Sequence, residues 1–338
     1  MRFGRSFLLL VGAGALIAPR ATGAAELTCP SSATLEALVA CIRDQMPGRR
    51  SGMFVAPSFT EMDAWRSAVS AMMHGACDFV LPPSLWSLAQ VRSFRDADNG
   101  RPYCLLMETA DWNGDGVVDR GFGAFIVDAF AERELSQQVS HPIADAGTES
   151  QAITVFKKTR SRTFLLAGTH RHAIPGSRWF DGPSMSSDVA HNAATMFHTA
   201  HAAIAAYYGS KPWWAVQWHG MAEDTCEGVD VHLSHGVDTA PAAGDKLLEL
   251  RNNLLATQPT WRIGVPGSRG CSLNATSNVQ GRLLNEGAPA GWAHGGSPAG
   301  WSFGRPAAVH PRRFVHIEQH PGVRDADRWI AAVLATWP

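Results

Sequence analysis

After residue 24 the chain has no apolar run long enough to span a bilayer, which takes roughly 20 residues in a helix. No two of its cysteines stand in Cys-x-x-Cys spacing, so neither a thiol redox motif nor a ribbon-type metal site is present. Positive charge is not in excess: 29 Lys and Arg stand against 30 Asp and Glu, a formal charge of -1. That balance excludes the basic surface selected by nucleic acids. No lipobox precedes Cys29, so a lipid anchor is not expected. Residues 25–103 hold no repeat and no catalytic constellation.

What is present begins with a leader. Arg2 and Arg5 precede an apolar run over 7–18 and small residues at 21–25, the pattern of an export signal with cleavage expected near Ala24. Loss of 1–24 removes Arg2, Arg5 and Arg20 and no acid, taking the charge from -1 to -4. The expected location is secreted or periplasmic. Six cysteines, all after residue 24, are then read as disulfides. Fifteen full pairings are open; the sequential set is favoured, Cys29 with Cys41, Cys77 with Cys104 and Cys226 with Cys271.

With 338 residues, 45% hydrophobic and 17% charged, the chain suits one large domain or a domain with a smaller companion. The expected division is a leader over 1–24, an accessory region over 25–103 with helices at 33–46 and 62–74, and a catalytic domain over 104–338. Within the last, strands are expected at 103–109, 121–128, 135–139, 162–168, 213–218 and 314–318. Helices are expected at 147–156, from 192 to 208, at 243–257 and at 325–336, with a long polar loop through His232 and His235. Strands alternating with helices in this way make an α/β fold with a mixed, mostly parallel sheet.

The chemistry gathers at strand ends. The strand at 135–139 runs into Ser140-His141-Pro142, with Asp145 four residues past the histidine and Glu149 one helical turn further on. A second buried-looking strand ends in Trp218-His219-Gly220. Two strands that deliver histidines to one end of a parallel sheet, plus one carboxylate, give the three-ligand open site of a catalytic zinc. The candidate ligands are therefore His141, His219 and Asp145, with Glu149 as substitute or brace. The alternative is a pair of structural histidines capping strand ends. Glu318, at the end of the last strand, is the candidate base; otherwise it is a surface carboxylate paired with Arg312 or Arg324. Arg171 or Arg282 would bind a carboxylate or steady an oxyanion through the planar guanidinium. His170 and His172 face opposite sides of an extended segment, so one at most, His170 by preference, joins the site. His191 is either a catalytic group or a hydrogen-bonder at a helix start. Tryptophans such as Trp213 and Trp214 read as core, and Trp292 and Trp301 as core or as the rim of a site.

Separately, Asp111, Asn113, Asp115 and Asp119 with Gly116 occupy positions one, three, five, nine and six of a calcium loop. Phe122 stands where that loop needs Glu, and a polar hairpin turn is the competing reading.

His-x3-Asp-x-Gly-Thr, a later strand-end His-Gly, the Asn278-x-x-Gly-Arg282 segment and a last strand ending in Glu resemble zinc-carboxypeptidase-like hydrolases. Within these the resemblance is nearest to the N-formylglutamate amidohydrolase and phage poly-γ-glutamate hydrolase branch. It covers 104–338 and implies a three-layer α/β/α domain that binds one zinc through a His, an acid and a second His. A late Glu assists the water, and a small peptide or γ-glutamyl amide bearing a carboxylate is hydrolysed; Asn278, His170 and His191 would be the substrate-binding residues. Asp145 stands where that family more often has Glu, and the segments 169–172 and 191–201 have no counterpart in it. The rival reading is a non-catalytic periplasmic protein that binds calcium or a transition metal.

Overall fold

The computed structural model describes residues 25–174, 187–286 and 313–338; the expected leader and Trp292, Trp301 and Arg312 lie outside these. In chain order the elements are β1 (Ala25–Glu26), α1 (Leu35–Asp44), α2 (Phe59–Met73), β2 (Ala89–Arg95), β3 (Pro102–Glu108) and β4 (Ala110–Asp111). Then come β5 (Ala124–Val127), β6 (Arg133–Val139), α3 (Thr148–Lys158), β7 (Ser161–Leu166), α4 (Met196–Tyr208) and β8 (Trp214–Gly220). The rest are β9 (Val231–Ser234), α5 (Lys246–Thr257), β10 (Ile263–Gly264), α6 (Val279–Glu286), β11 (Phe314–Gln319) and α7 (Ala326–Thr336).

Nine strands form one sheet in the order β10-β9-β11-β8-β6-β7-β5-β3-β2. The central four, β11, β8, β6 and β7, are mutually parallel, and the outer pairings are antiparallel except β10 with β9. The sheet is thus evenly mixed rather than mostly parallel. Its two faces are covered by different apolar clusters. On one, Val139, Val216, Trp218, Val315 and Ile317 meet residues of α1, α3, α5 and α7. On the other, Leu165, Ala215 and Phe314 meet α2 and α4. This is a three-layer α/β/α fold. Fully buried Trp65, Trp213, Trp218 and Trp329 carry much of its core, each removing a large apolar area from water.

The region expected as accessory packs onto this frame. It supplies β2 and the start of β3, α1 contacts α3, and α2 contacts α4. All three disulfides take the sequential pairing, Cys29–Cys41, Cys77–Cys104 and Cys226–Cys271. No helix among the described residues is long and apolar enough to cross a membrane. The expected polar loop through His232 contains β9, whose Val231 and Leu233 are buried; four residues are too few for alternation to stand out against the polar flanks.

β6 connects through α3 to β7 on one side, whereas β8 lies on its other side. The strand order therefore reverses between β6 and β8, and a crevice opens beyond their carboxyl ends.

Candidate metal centre

Residues 140–145 turn directly out of β6. The Asp145 N–H donates to the His141 carbonyl at 2.9 Å, which brings the two side chains of this i,i+4 pair together. Asp145 Oδ2 also accepts the Gly220 N–H at 3.0 Å, so the end of β8 is tied to the same carboxylate. The Arg324 guanidinium lies over Gly220, where a Cβ would come within 2.2 Å of Nη2 and displace it. The Arg324 guanidinium donates to the carbonyls of Ala146, Gln319 and Met221, clamping the β8 and β11 ends to the 141–147 turn.

Three acceptor atoms converge there. His141 Nδ1 lies 3.2 Å from Asp145 Oδ2 and 3.2 Å from His219 Nδ1, and His219 Nδ1 lies 3.5 Å from Asp145 Oδ2. Tetrahedral ligands with bonds of about 2.0–2.1 Å stand about 3.3–3.4 Å apart, so this triangle has the dimensions of three corners around one ion. Each ring is held by its other nitrogen. His141 Nε2 faces Asp188 Oδ1 at 3.0 Å, and His219 Nε2 faces Gln217 Oε1 at 2.7 Å and Ser140 Oγ at 3.1 Å. With Nε2 carrying the proton, both Nδ1 atoms present lone pairs. Two lone pairs and a carboxylate aimed at one another repel unless a proton or a metal cation sits between them, and the donor set fits a divalent metal.

The charges agree. Burial opposes ionisation of Asp145, yet His141 and His219 hold its carboxyl far below the ordinary range. Burial and the Arg171 charge work against protonation of His141, but Asp188 and Asp145 outweigh them and raise it. Burial pushes His219 down to about 4. Burial and then the Asp145 charge push Glu318 up to about 8, close to where proton transfer near neutrality works best.

A cavity of about 310 Å³ opens on this centre, lined among others by Arg171, His191, Ser277, Asn278, His316 and Glu318. Glu318 is level with His219 across the β8–β11 pairing. Arg171 reaches the site from the turn after β7, where the chain passes so close to residues 121–123 that a Cβ on Gly168 would lie 2.1 Å from the Gly123 nitrogen. Its Nη2 pairs with Asp188 Oδ2 at 2.6 Å, and its Nη1 lies 3.3 Å from His141 Nδ1.

Several expected residues stand elsewhere. Glu149 is buried against Arg43 of α1, 2.9 Å away, and does not belong to the His141, Asp145, His219 group. Arg282 donates through Nε to the Thr276 carbonyl at 2.7 Å and does not line the cavity. His170 accepts the His172 N–H through Nδ1, its own backbone is tied to Pro47, and it does not line the cavity. His191 lines the cleft with Nε2 3.1 Å from Ser277 Oγ. In the 111–119 loop, Asp111 accepts the N–H groups of Gly114, Asp115 and Gly116, and Asp119 accepts that of Trp112. These carboxylates cap their own turn, and they join no His, Cys, Asp or Glu group of metal-binding dimensions among the described residues.

Two residues at the centre carry a signal that is legible in the sequence. Gln217 and His316 stand two residues before His219 and Glu318, and alternation along a strand puts such pairs on one face. Asp188 carried none, because its partner His141 is 47 residues away.

Beneath the centre, α4 presents His198 and His201 to the sheet. Burial, with the Arg66 charge adding to it, lowers His198 to about 4, and burial, with the His198 charge adding to it, holds His201 well below the ordinary histidine range. In an unfolded chain both titrate near 6.5. Their depressed folded values mean that stability is full above about pH 6.5 and is lost as pH falls toward 4, because the unfolded chain takes up the protons first. The melting temperature of the protein is therefore expected to fall between pH 7 and pH 4.5. Glu108 and Glu318, raised to about 8 by burial, act in the opposite sense, so the deciding comparison is with a His198→Gln, His201→Gln variant: an identical profile in the two proteins would show that these rings are not held neutral.

No protein-family model matches the chain, and no curated protein does. Among solved structures it is similar to a gene product of Agrobacterium tumefaciens at 14% identity over 61% of this chain and 86% of that one, with a TM-score of 0.33. It is similar at 12% identity to a protein given the name carboxypeptidase A from Shewanella denitrificans, over 84% of this chain and 70% of that one, with a TM-score of 0.32. A metallo-carboxypeptidase from Burkholderia cenocepacia is 11% identical over 84% of this chain and 68% of that one, at a TM-score of 0.33. Likenesses this distant say nothing about the chemistry, which rests on the side chains.

Proposed function

We propose that this chain is an exported, zinc-dependent hydrolase of an amide bond, of the carboxypeptidase-like class. The observation that carries the reading is the triangle of His141 Nδ1, Asp145 Oδ2 and His219 Nδ1, with edges of 3.2–3.5 Å, at the mouth of a cleft. These three residues would hold the ion and leave a position open toward the cavity. A zinc ion bound there supplies Lewis acidity toward a carbonyl and lowers the pKa of a water.

The chain's own groups do the rest. Glu318 takes a proton from the attacking water and returns it to the leaving amine, a task suited to a carboxyl whose pKa lies near 8. Arg171, held in place by Asp188, offers its guanidinium to the charge that develops on the carbonyl oxygen. Asp188 fixes the His141 ring through Nε2. His191, whose Nδ1 lies 3.2 Å from Asp188 Oδ2, and Ser277 line the cleft beside them. The substrate class proposed is a small peptide or γ-glutamyl amide with a free carboxylate, as in the N-formylglutamate amidohydrolase and poly-γ-glutamate hydrolase branch. Support for it comes from the sequence motifs and from Arg171 as the cationic residue lining the cleft. Three disulfides support maturation in an oxidising compartment.

The test is metal removal and return. Protein stripped with a chelator is expected to lose hydrolysis of peptide and γ-glutamyl amides, and to regain it with one equivalent of zinc while staying folded throughout. Stripped protein that keeps its turnover, or protein that takes up no divalent metal, overturns the proposal.

A further inference from the structure

Between the sheet and the helices α4 and α6 lies a buried row of amides. Gln138, Gln217, Asn278 and Gln280 are each at most 2% exposed, a costly arrangement unless every polar atom is partnered. An isolated amide can be turned end for end without changing its shape, but in this row each end is dictated from outside.

Asn278 Oδ1 accepts the backbone N–H groups of Gln280 and Gly281 at 3.0 and 2.9 Å. Backbone nitrogens only donate, so that atom must be the oxygen. Asn278 Nδ2 must then be the group facing Gln217 Oε1, at 2.5 Å. A second anchor agrees. Gln280 Nε2 donates to the Val189 carbonyl at 2.9 Å, which leaves Gln280 Oε1 to accept from Gln217 Nε2 at 3.3 Å. The Gln217 amide is thereby oriented at both of its ends, with its oxygen toward His219. His219 Nε2, 2.7 Å from that oxygen, has to carry the ring proton, and the lone pair falls on Nδ1, the atom that faces His141 and Asp145.

We infer that Asn278 and Gln217 are positioning residues: a one-way chain of hydrogen bonds from the first N–H groups of α6 holds His219 in the tautomer that can bind a metal through Nδ1. The inference rests on the metal reading for its purpose, but the tautomer itself is a property of the metal-free protein. It also gives Asn278 a role other than the substrate contact expected from sequence.

The experiment separates the two. Metal-free protein labelled with ¹⁵N-histidine is examined by long-range ¹H–¹⁵N NMR near pH 7.5, with the His219 signals identified by their loss in His219→Gln. The expected result is protonated Nε2 and bare Nδ1. Two variants disturb the same buried row in opposite senses. Asn278→Asp keeps the acceptor for α6 but sets a carboxylate oxygen against Gln217 Oε1 in place of the 2.5 Å donor, a repulsion that outweighs the longer 3.3 Å bond from Gln217 Nε2 to Gln280 Oε1 and turns the Gln217 amide end for end. The ring is expected to shift toward the Nδ1–H form, and zinc affinity to fall by about 10–100-fold. Gln217→Glu presents only acceptors, so the Nε2–H form is expected to persist. A wild-type ring protonated on Nδ1, or the same tautomer in both variants, overturns the relay, and a merely structural role would produce the latter. Protonated Nε2 in a wild-type protein that binds no zinc instead overturns the metal reading and leaves the relay standing.

Discussion

His219→Ala is expected to leave the protein folded and to abolish both zinc retention and amide hydrolysis. The loss should exceed the factor of about 10–100 that follows removal of an outer hydrogen-bond partner of a metal-binding histidine, because one of only three protein donors disappears. Folding should survive for a geometrical reason. His219 points to the side of β8 that carries the polar row, whereas Trp218 and Val216 on the opposite side belong to the cluster under α3 and α7. Removal of the ring leaves Gln217 Oε1 with Asn278 Nδ2 as a partner. The cost to stability should therefore stay within about 1–3 kcal/mol, the range for one buried polar group losing its partner. Elemental analysis after dialysis, with near-ultraviolet circular dichroism as the control for folding, decides it. A folded variant that keeps about one zinc per chain would remove His219 from the ligand set.

Glu318→Gln is expected to keep its zinc and lose turnover by about 10²–10⁴-fold, the usual contribution of a positioned proton-transfer group. The substitution preserves shape and removes the ionisable oxygen. Glu318 lies outside the His141, Asp145, His219 group, although with His219 and His316 it makes a second group of metal-binding dimensions; with zinc held in the first group, metal content should not change. It lines the cleft, and burial with the nearby Asp145 charge has brought its carboxyl to about 8, so the proton-transfer assignment requires kcat to fall far more than KM rises. Full activity in a zinc-loaded Glu318→Gln protein would end that assignment. Equal loss of metal and activity would instead mark Glu318 as part of the metal site.

Much of the frame was legible in the chain. The strands at 133–139, 214–220 and 314–319 and the helices at 148–158 and 246–257 appeared as periodic segments with marked ends, because period 2 and period 3.6 leave different imprints. The disulfide set was favoured among fifteen and is the one formed. β2 and β9 leave little imprint on the sequence. Ala89–Arg95 is an edge strand with little apolar alternation, and β9 is four residues long.

The candidate site divides in the same way. His141, Asp145, His219, Arg171 and Glu318 could be named from sequence because each sits at, or just beyond, the carboxyl end of a strand, and parallel neighbours bring such ends together. The choice among near equivalents could not be made there. Asp145 and Glu149 lie one helical turn apart, and only the packing of α1 shows that Glu149 is occupied by Arg43. Arg171 and Arg282 offer the same guanidinium, and only the turn after Gly168 brings the first into the cleft while the second holds Thr276.

By itself, then, the sequence determined the layered α/β frame, the disulfide-bearing character of the chain and the set of strand-end groups from which a metal site can be built. Local periodicity and chain order suffice for these. Tertiary structure alone decided which carboxylate meets the two histidines, which arginine faces the cavity, and that Asp188 holds the His141 ring. Those outcomes depend on distances of about 3 Å between side chains far apart in the chain, 47 residues for His141 and Asp188, 78 for His141 and His219 and 106 for Arg43 and Glu149. Hydrogen bonding is short-ranged and directional, so no pattern along the chain can encode it until the sheet has set the register.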